Sequence, residues 1–448
     1  MSAISKSNVT PSDAAQPPPV SLAWTMWGVG AIFYLLGFYL RVAPAVLADT
    51  LMVDFGITAT ALGNFSAFYF YSYALMQIPT GILSDSWGPR KLMAWGGLAA
   101  GCGTLVFALA PSIIWAYLGR LLIGGSVAVA FVGLLKLASH WIVPQQFAMV
   151  AGVTTLVGVI GAVLAGVPLQ LAVTAFGWRA VMVVSAGLLF GIGLVIWLFV
   201  RDDPREKGYA SYAHVDTPTE PQSLGQALRS VREVFRYRNA RLLFLIPGGI
   251  VGPVLTFSGL WGVPFLTTHY NLSNTLAAAL CTTLLIAWAM SGPLVGALSD
   301  RIGRRKPLYV LGCGLMVAGW STLIFVPNLP LWLLVALLVI TGAASGCMII
   351  TFSYIKESTP PQYAGTAVGV GNMGVMLGPM LLQPAIGWVL DRLWTGQMVG
   401  DLRVYSLQAY QVGFALMLAW VILAFVLILF TQETHCRQLV KGNFNSQP

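Results

Sequence analysis

Two arginines, Arg41 and Arg120, stand inside long apolar runs of a chain that has few charges of any kind. A guanidinium in hydrocarbon is expensive, and by default it marks a site. Counting along the runs places Asp49 at the outer end of the first, so no Asp or Glu is expected in mid-run. Arg41 lies about eight residues before that end and Arg120 about seven residues into the fourth run, which puts both ~10–13 Å below the outer surface at 1.5 Å per residue. Two guanidiniums at similar depth with no neutralising carboxylate most simply await an anion, which arginine holds bidentately. Carboxylate or phosphate would serve. A structural role competes, with Arg120 bonding backbone carbonyls or tyrosine hydroxyls within Gly119-Arg120-Leu-Leu-Ile-Gly124.

Other chemistries find no support. The four histidines, His140, His214, His269 and His435, are scattered, and the five cysteines, Cys102, Cys281, Cys313, Cys347 and Cys436, form no CxxC pair. Neither a nucleophile with its base nor a metal cluster can be assembled, so no catalytic residue, no metal and no enzyme is expected. His140, beside Trp141, could shuttle protons, though an interfacial anchor is the simpler role. A formal charge of +9 would suit nucleic acid, but where the basic residues fall argues against that partner.

The elements that must position Arg41 and Arg120 follow from composition. Hydrophobic residues make up 57% and charged residues 9% of the 448, against roughly 25% charged in a soluble domain. Most of the chain is therefore solvated by lipid. A bilayer core needs ~20 apolar residues per helix, and such runs begin near Ala23, Ala59, Leu92, Ile113, Phe147 and Val181, then near Leu242, Leu276, Leu308, Leu331, Ala364 and Tyr410. The expectation is an all-α integral membrane protein of twelve transmembrane helices in two six-helix bundles. Residues 1–21 would be a disordered cytoplasmic tail, 22–200 the first bundle, 201–241 an inter-half loop, 242–431 the second bundle and 432–448 a cytoplasmic tail. With the N-terminus inside, cytoplasmic segments hold 19 of the 24 Lys and Arg, which fixes both termini there. In the central loop Leu224, Leu228, Val231 and Phe235 fall at helical spacing with Arg229, Arg232 and Arg236 off that face, as for a helix on the inner leaflet.

The chain also repeats itself. Gly81-Ile-Leu-Ser-Asp85-Ser-Trp-Gly88-Pro-Arg90-Lys91 recurs, 215 residues on, as Gly296-Ala-Leu-Ser-Asp300-Arg-Ile-Gly303-Arg304-Arg305-Lys306. Pro144-Gln-Gln-Phe-Ala148 likewise echoes Pro360-Pro-Gln-Tyr-Ala364. Each copy of the loop follows an inward-running helix, so the glycines permit a tight turn and the acid at the membrane edge needs a partner. The positive N-terminus of a helix in the opposite half would suit it. A purely topogenic turn is the competing reading.

These loops resemble the signature between helices two and three, and again eight and nine, of the major facilitator superfamily. Helix count, orientation, central loop and duplication extend the resemblance over essentially the whole chain, although Pro89 replaces the usual arginine. It implies the major facilitator fold and a gating role for Gly81, Asp85, Gly88 and Arg90 with Gly296, Asp300, Gly303 and Arg304. The loop acids would reach the other half and stabilise the outward-facing state. Tyr39-Leu40-Arg41 with Tyr73 is similar to the first-helix Arg and second-helix Tyr of organic-anion and organophosphate facilitators, which implies substrate binding by Arg41, Tyr73 and Arg120. The basic residue in helix seven and the acid in helix four that those families often add are not visible.

The function that follows is secondary active transport of a small organic anion, a carboxylate in the first instance, by alternating access between two bundles. Uncharged contacts in the second bundle would come from Trp261, Trp288, Thr351, Tyr354, Asn372 and Gln383. Glycine-rich spans five and eleven allow close helix approach. No cofactor is called for beyond a coupling proton or sodium ion, nothing asks for more than a monomer, and the absence of a cleavable presequence suits a bacterial inner membrane. A proton-coupled drug exporter of the same fold and a transporter-like nutrient sensor are the alternatives. The first matches its antiporter signature only loosely at Gly158 to Pro168, and the second lacks an appended signalling domain.

Overall fold

The structure, a computed structural model, describes residues 16–212 and 224–439. Eleven helical paths among them are long and apolar enough to cross a membrane. A twelfth, Ala59–Trp87, has the length but is less apolar, because tyrosines and amides are spaced along it. In chain order, span one is Val20–Val42 continued as Pro44–Phe55, and span two is Ala59–Trp87. Span three is Pro89–Ala108, span four Ile113–Trp141, span five Phe147–Leu164 with Val167–Phe176, and span six Trp178–Phe199. Span seven joins Arg238–Thr256, a π-helical turn Phe257–Trp261 and Gly262–Tyr270. Spans eight and nine are Asn274–Ile302 and Lys306–Phe325; span ten joins Leu331–Ser345, a 3-10 turn Gly346–Ile349 and Ile350–Glu357; spans eleven and twelve are Ala364–Arg392 and Leu407–Leu429. A short hairpin, Met398–Val399 against Leu402–Arg403, links the last two.

Both described ends of the chain lie at one face, where Ala210 donates to Gln16 and Leu439 to Glu357. This is the terminal face. At the opposite face Thr58, Ser273 and Ser406 cap spans two, eight and twelve by accepting from the N–H groups of Ala61, Leu276 and Ala409. Such caps satisfy backbone donors that a helix start leaves free. Thr58 and Ser273 are 215 residues apart, so the repeat read from the loops extends to the caps.

Span one differs from its expected form. It does not end near Asp49 but breaks at Ala43-Pro44 and runs on to Phe55, so Asp49 sits within a helix that packs against span seven. Proline explains the break, since it removes an N–H and fits the first turn of a new segment. The linker helix forms at Leu224–Val234 and packs beneath spans eleven and two. It is rotated from the expected face: Ala227 and Val234 are buried and Leu228 is 53% exposed, free to meet lipid. The side chains of Asp85 and Leu224, and most of the expected N-terminal tail, fall outside the described residues.

Glycine positions map how the halves meet. A Cβ at Gly63 would lie 2.5 Å from the Gln383 carbonyl oxygen, and one at Gly387 would collide with the Ala59 carbonyl. Spans two and eleven are thus in backbone contact near the opposite face. Further along, a Cβ at Gly81, Gly365 or Gly369 would meet nothing within 4 Å. The two spans are therefore closest at the opposite face, and nearer the terminal face they are joined by the Asn372–Gln77 hydrogen bond and by the linker helix that packs on both. Within the halves the expected close approaches occur, Gly161 of span five against the Leu35 carbonyl of span one and Gly378 of span eleven against Gly248 of span seven.

Candidate functional site

Arg41 ends the first segment of span one and is 5% exposed. Its guanidinium carbon lies 4.2 Å from the Phe38 ring centroid, 4.8 Å from that of Tyr73 and 5.6 Å from that of Tyr69. Rings at such distances stabilise a cation through their quadrupoles. Nε donates to the Tyr69 hydroxyl at 3.2 Å, which in turn donates to the Gly37 carbonyl. The two terminal nitrogens have no hydrogen-bond partner among the described residues, no carboxylate there pairs with the group, and the Tyr73 hydroxyl is equally without a partner. Arg41 thus faces with its Nη groups a region in which no protein acceptor is fixed.

Arg120 is spent differently. Nη1 donates to the Leu40 carbonyl at 2.7 Å, while Nε and Nη2 are sealed from solvent and unpartnered. Leu40 is four residues before Pro44, so the proline leaves that carbonyl without its helical donor. Arg120 supplies the missing donor and holds the kink that aims Arg41. Its guanidinium lies 4.9 Å from the Tyr69 centroid, so one tyrosine ring touches both arginines.

Beside Arg41 a cavity of about 100 Å³ opens between the halves, smaller than the ~300–1,000 Å³ usual for drug-sized ligands. Phe38, Val42, Thr155, Val159 and Ala162 line it from the first half, and Leu255, Leu285, Trp288, Met348 and Ile349 from the second. Of the second-half contacts anticipated from sequence, only Trp288 borders this cavity. Trp261 donates to the Gln383 carbonyl and Gln383 to that of Leu255, both deep in packing. Thr351 pairs with Tyr309, and Tyr354 donates to Thr431 and Gln432. Asn372 donates to Gln77 across the halves.

At the terminal face the duplicated loops do more than turn. Gly88 and Gly303 have φ of +82° and +71°, a region that favours glycine. The helix start after each loop is capped by a carboxylate from the end of its own half: Asp202 accepts from the Arg90 N–H at 2.5 Å, and Glu433 from the Arg305 and Lys306 N–H groups at 2.9 Å. Basic side chains then reach the last carbonyls of the neighbouring span, Arg90 to Trp197 and Lys306 to Leu429. Each loop therefore locks the third span of a half onto its sixth. Burial opposes Glu433's charge, but its backbone donors hold the carboxyl below its ordinary 4.5. That stability is present above 4.5 and is lost as pH falls through the depressed value. At Asp202 burial dominates and pushes the carboxyl up despite the Arg90 N–H, so the two caps are shifted in opposite directions.

Asp300 does not cross to the other half here. It is 67% exposed and pairs at 2.5 Å with Arg305, which also binds Glu357 at 2.6 Å. Of the two loop arginines, Arg304 is exposed and Arg305 is the buried one. Burial works to lower its proton affinity, yet hydrogen bonds to Glu357 and Asp300 raise it well beyond the arginine norm. Removing one member of a buried pair leaves the other charge uncompensated. Arg305→Ala is accordingly expected to lose about 3–5 kcal/mol, read by thermal unfolding in detergent, whereas Arg304→Ala shifts stability by less than about 0.5 kcal/mol. Gly81 and Gly296 meet no close neighbour that demands glycine in this conformation. His140 is an anchor, its Nδ1 2.9 Å from the Asp202 carbonyl.

A carboxylate-to-helix contact between the halves is found at the opposite face. Asp391, at the end of span eleven, accepts from Ala59 N–H at 3.1 Å, Thr60 N–H at 2.7 Å, Thr60 Oγ1 at 2.5 Å and the Tyr405 hydroxyl at 2.8 Å. It binds the N-terminus of span two across the two halves. Sequence reading missed it because Asp391-Arg392 looks like any polar helix end, and its partner is more than 330 residues away.

Comparison with known proteins gives a consistent picture. Residues 27–265 and 254–444 each match the sequence model of the Major Facilitator Superfamily. A probable sulfoacetate transporter of Cupriavidus necator is 24% identical over 379 residues, covering 82% of this chain and 86% of the relative. A probable hexose phosphate transport protein of Chlamydia pneumoniae is 26% identical over 402 residues, covering 85% and 87%. The crystal structure of a bacterial homologue of the human lysosomal transporter Spinster, inward-facing and unoccupied, superposes with a TM-score of 0.69 at 17% identity over 92% of this chain and 97% of that one.

Proposed function

Because this chain belongs to the Major Facilitator Superfamily and is a multi-pass membrane transporter, we propose that it moves a small organic anion, bound through a carboxylate, by alternating access. The observation that carries this is Arg41: a desolvated guanidinium with two unengaged Nη groups beside a cavity that both halves line. Tyr73 adds a hydroxyl to the same anion, and Arg120 acts from behind by holding the kink. The relatives' named substrates, a sulfonate and a phosphate ester, are anions too.

The excess of Lys and Arg at the terminal face makes it cytoplasmic. The close contacts of spans two and eleven then lie at the outer face, and the setting that fits is a bacterial inner membrane. One chain suffices for the cycle, driven by a coupling proton or sodium ion.

A thermal-shift screen of purified protein against organic anions, lipophilic cations, phosphate esters and neutral solutes tests the reading. Ligand at a hundredfold over its dissociation constant stabilises by ~2.7 kcal/mol. Stabilisation by carboxylates but not by cations is expected; stabilisation by cations alone would transfer the site to the drug-exporter reading.

A further inference from the structure

The cavity beside Arg41 has almost nothing with which to bond a polar substrate. Phe38, Val42, Val159, Ala162, Leu255 and Leu285 are apolar, and only Thr155 and the Trp288 indole bring a polar atom. No charged, amide or imidazole side chain lines it, and Arg41 adjoins it through Phe38, a lining residue whose ring centroid lies 4.2 Å from the guanidinium carbon. Thr155 is itself committed, donating to the Ala151 carbonyl. The other buried guanidinium is sealed and turned to Leu40, so it offers no second charge to the cavity.

We propose that the substrate is a monoanion whose single carboxylate meets Arg41 and whose body is an aromatic ring lying in the apolar cavity between Phe38 and Trp288. This rests on the anion reading above and narrows it. Beyond the one that the Trp288 indole N–H could serve, each hydroxyl or second anionic group buried in this cavity would find no side-chain partner, which costs about 1–3 kcal/mol apiece, or roughly five- to more than a hundredfold in affinity. A ring gains instead from burial and from the aromatic faces of Phe38 and Trp288. Sulfoacetate and sugar phosphates, the substrates named for the relatives, carry the groups this cavity leaves unsatisfied.

The test compares 3-phenylpropanoate, propanoate, tartrate, sulfoacetate and glucose 6-phosphate as ligands of the purified full chain, by thermal shift and by inhibition of uptake into proteoliposomes. Binding of 3-phenylpropanoate at least tenfold tighter than propanoate and a hundredfold tighter than tartrate is expected. Trp288→Ala should weaken 3-phenylpropanoate about tenfold and leave propanoate unchanged, and Val159→Asn should narrow the gap to tartrate. If sulfoacetate, tartrate or glucose 6-phosphate binds as tightly as 3-phenylpropanoate in the wild type, this inference is wrong while the anion reading stands. If no anion binds, the underlying reading falls with it. The wild-type ranking decides even where a variant fails to fold.

Discussion

Arg41→Ala will abolish anion-induced stabilisation and uptake while the protein stays folded. Two charge-assisted hydrogen bonds from the Nη groups to a carboxylate contribute about 1.5–3 kcal/mol each, so their loss weakens binding by a hundredfold or more. The fold survives because no carboxylate among the described residues depends on this guanidinium; its desolvation is offset only by aromatic faces and one tyrosine bond. Arg41→Lys keeps the charge but loses the planar fork, and an intermediate affinity, about tenfold weaker than wild type, is expected. Arg120→Lys provides the contrast. A lysine ammonium there can still donate to the Leu40 carbonyl, so affinity should change by less than about threefold if Arg120 positions rather than binds. A loss at Arg120→Lys equal to that at Arg41→Lys would return Arg120 to direct contact with the anion. Isothermal titration with the tightest carboxylate in the screen reads all three.

The global architecture was legible because lipid imposes simple constraints. Twelve apolar runs, a basic bias at alternate loops and a 215-residue repeat leave few folds to choose from. The position of Arg41 was legible for the same reason, as a cation in hydrocarbon stands out. What escaped were relations between residues distant in sequence. Nothing local says that Arg120 answers a carbonyl freed by Pro44 or that Glu433 caps the helix beginning at Lys306. Arg304 and Arg305 are adjacent and alike in the sequence, and only the geometry puts Arg305 between Glu357 and Asp300. The break in span one hid the depth of Asp49, since apolar periodicity runs through a proline that the backbone does not follow. A carboxylate does sit at a helix N-terminus across the halves, but it is Asp391, a residue that the loop repeat does not point to.

Asp391→Asn will shift the equilibrium toward the state open at the opposite face. That carboxylate joins the two halves through charge-assisted hydrogen bonds to Ala59 and Thr60, aligned with the dipole of span two. Its contacts must break whenever spans eleven and two separate there, so they stabilise one state of the cycle and not the other. Asparagine keeps one acceptor oxygen but loses the charge, and a differential loss of about 2 kcal/mol changes the ratio of states roughly thirtyfold. Gly63→Leu should act in the same direction by a different cause, since its side chain would enter the Gln383 backbone. Spin labels at Ile114→Cys and Leu331→Cys, exposed starts of spans four and ten at that face, report the separation in a variant whose five native cysteines have been replaced. The expected result is a longer-distance population that grows in both variants, with the open state accompanied by slower uptake if closure of that face becomes limiting. An unchanged distance distribution in Asp391→Asn would mean that backbone packing of spans two and eleven alone closes the face and that Asp391 merely caps a helix.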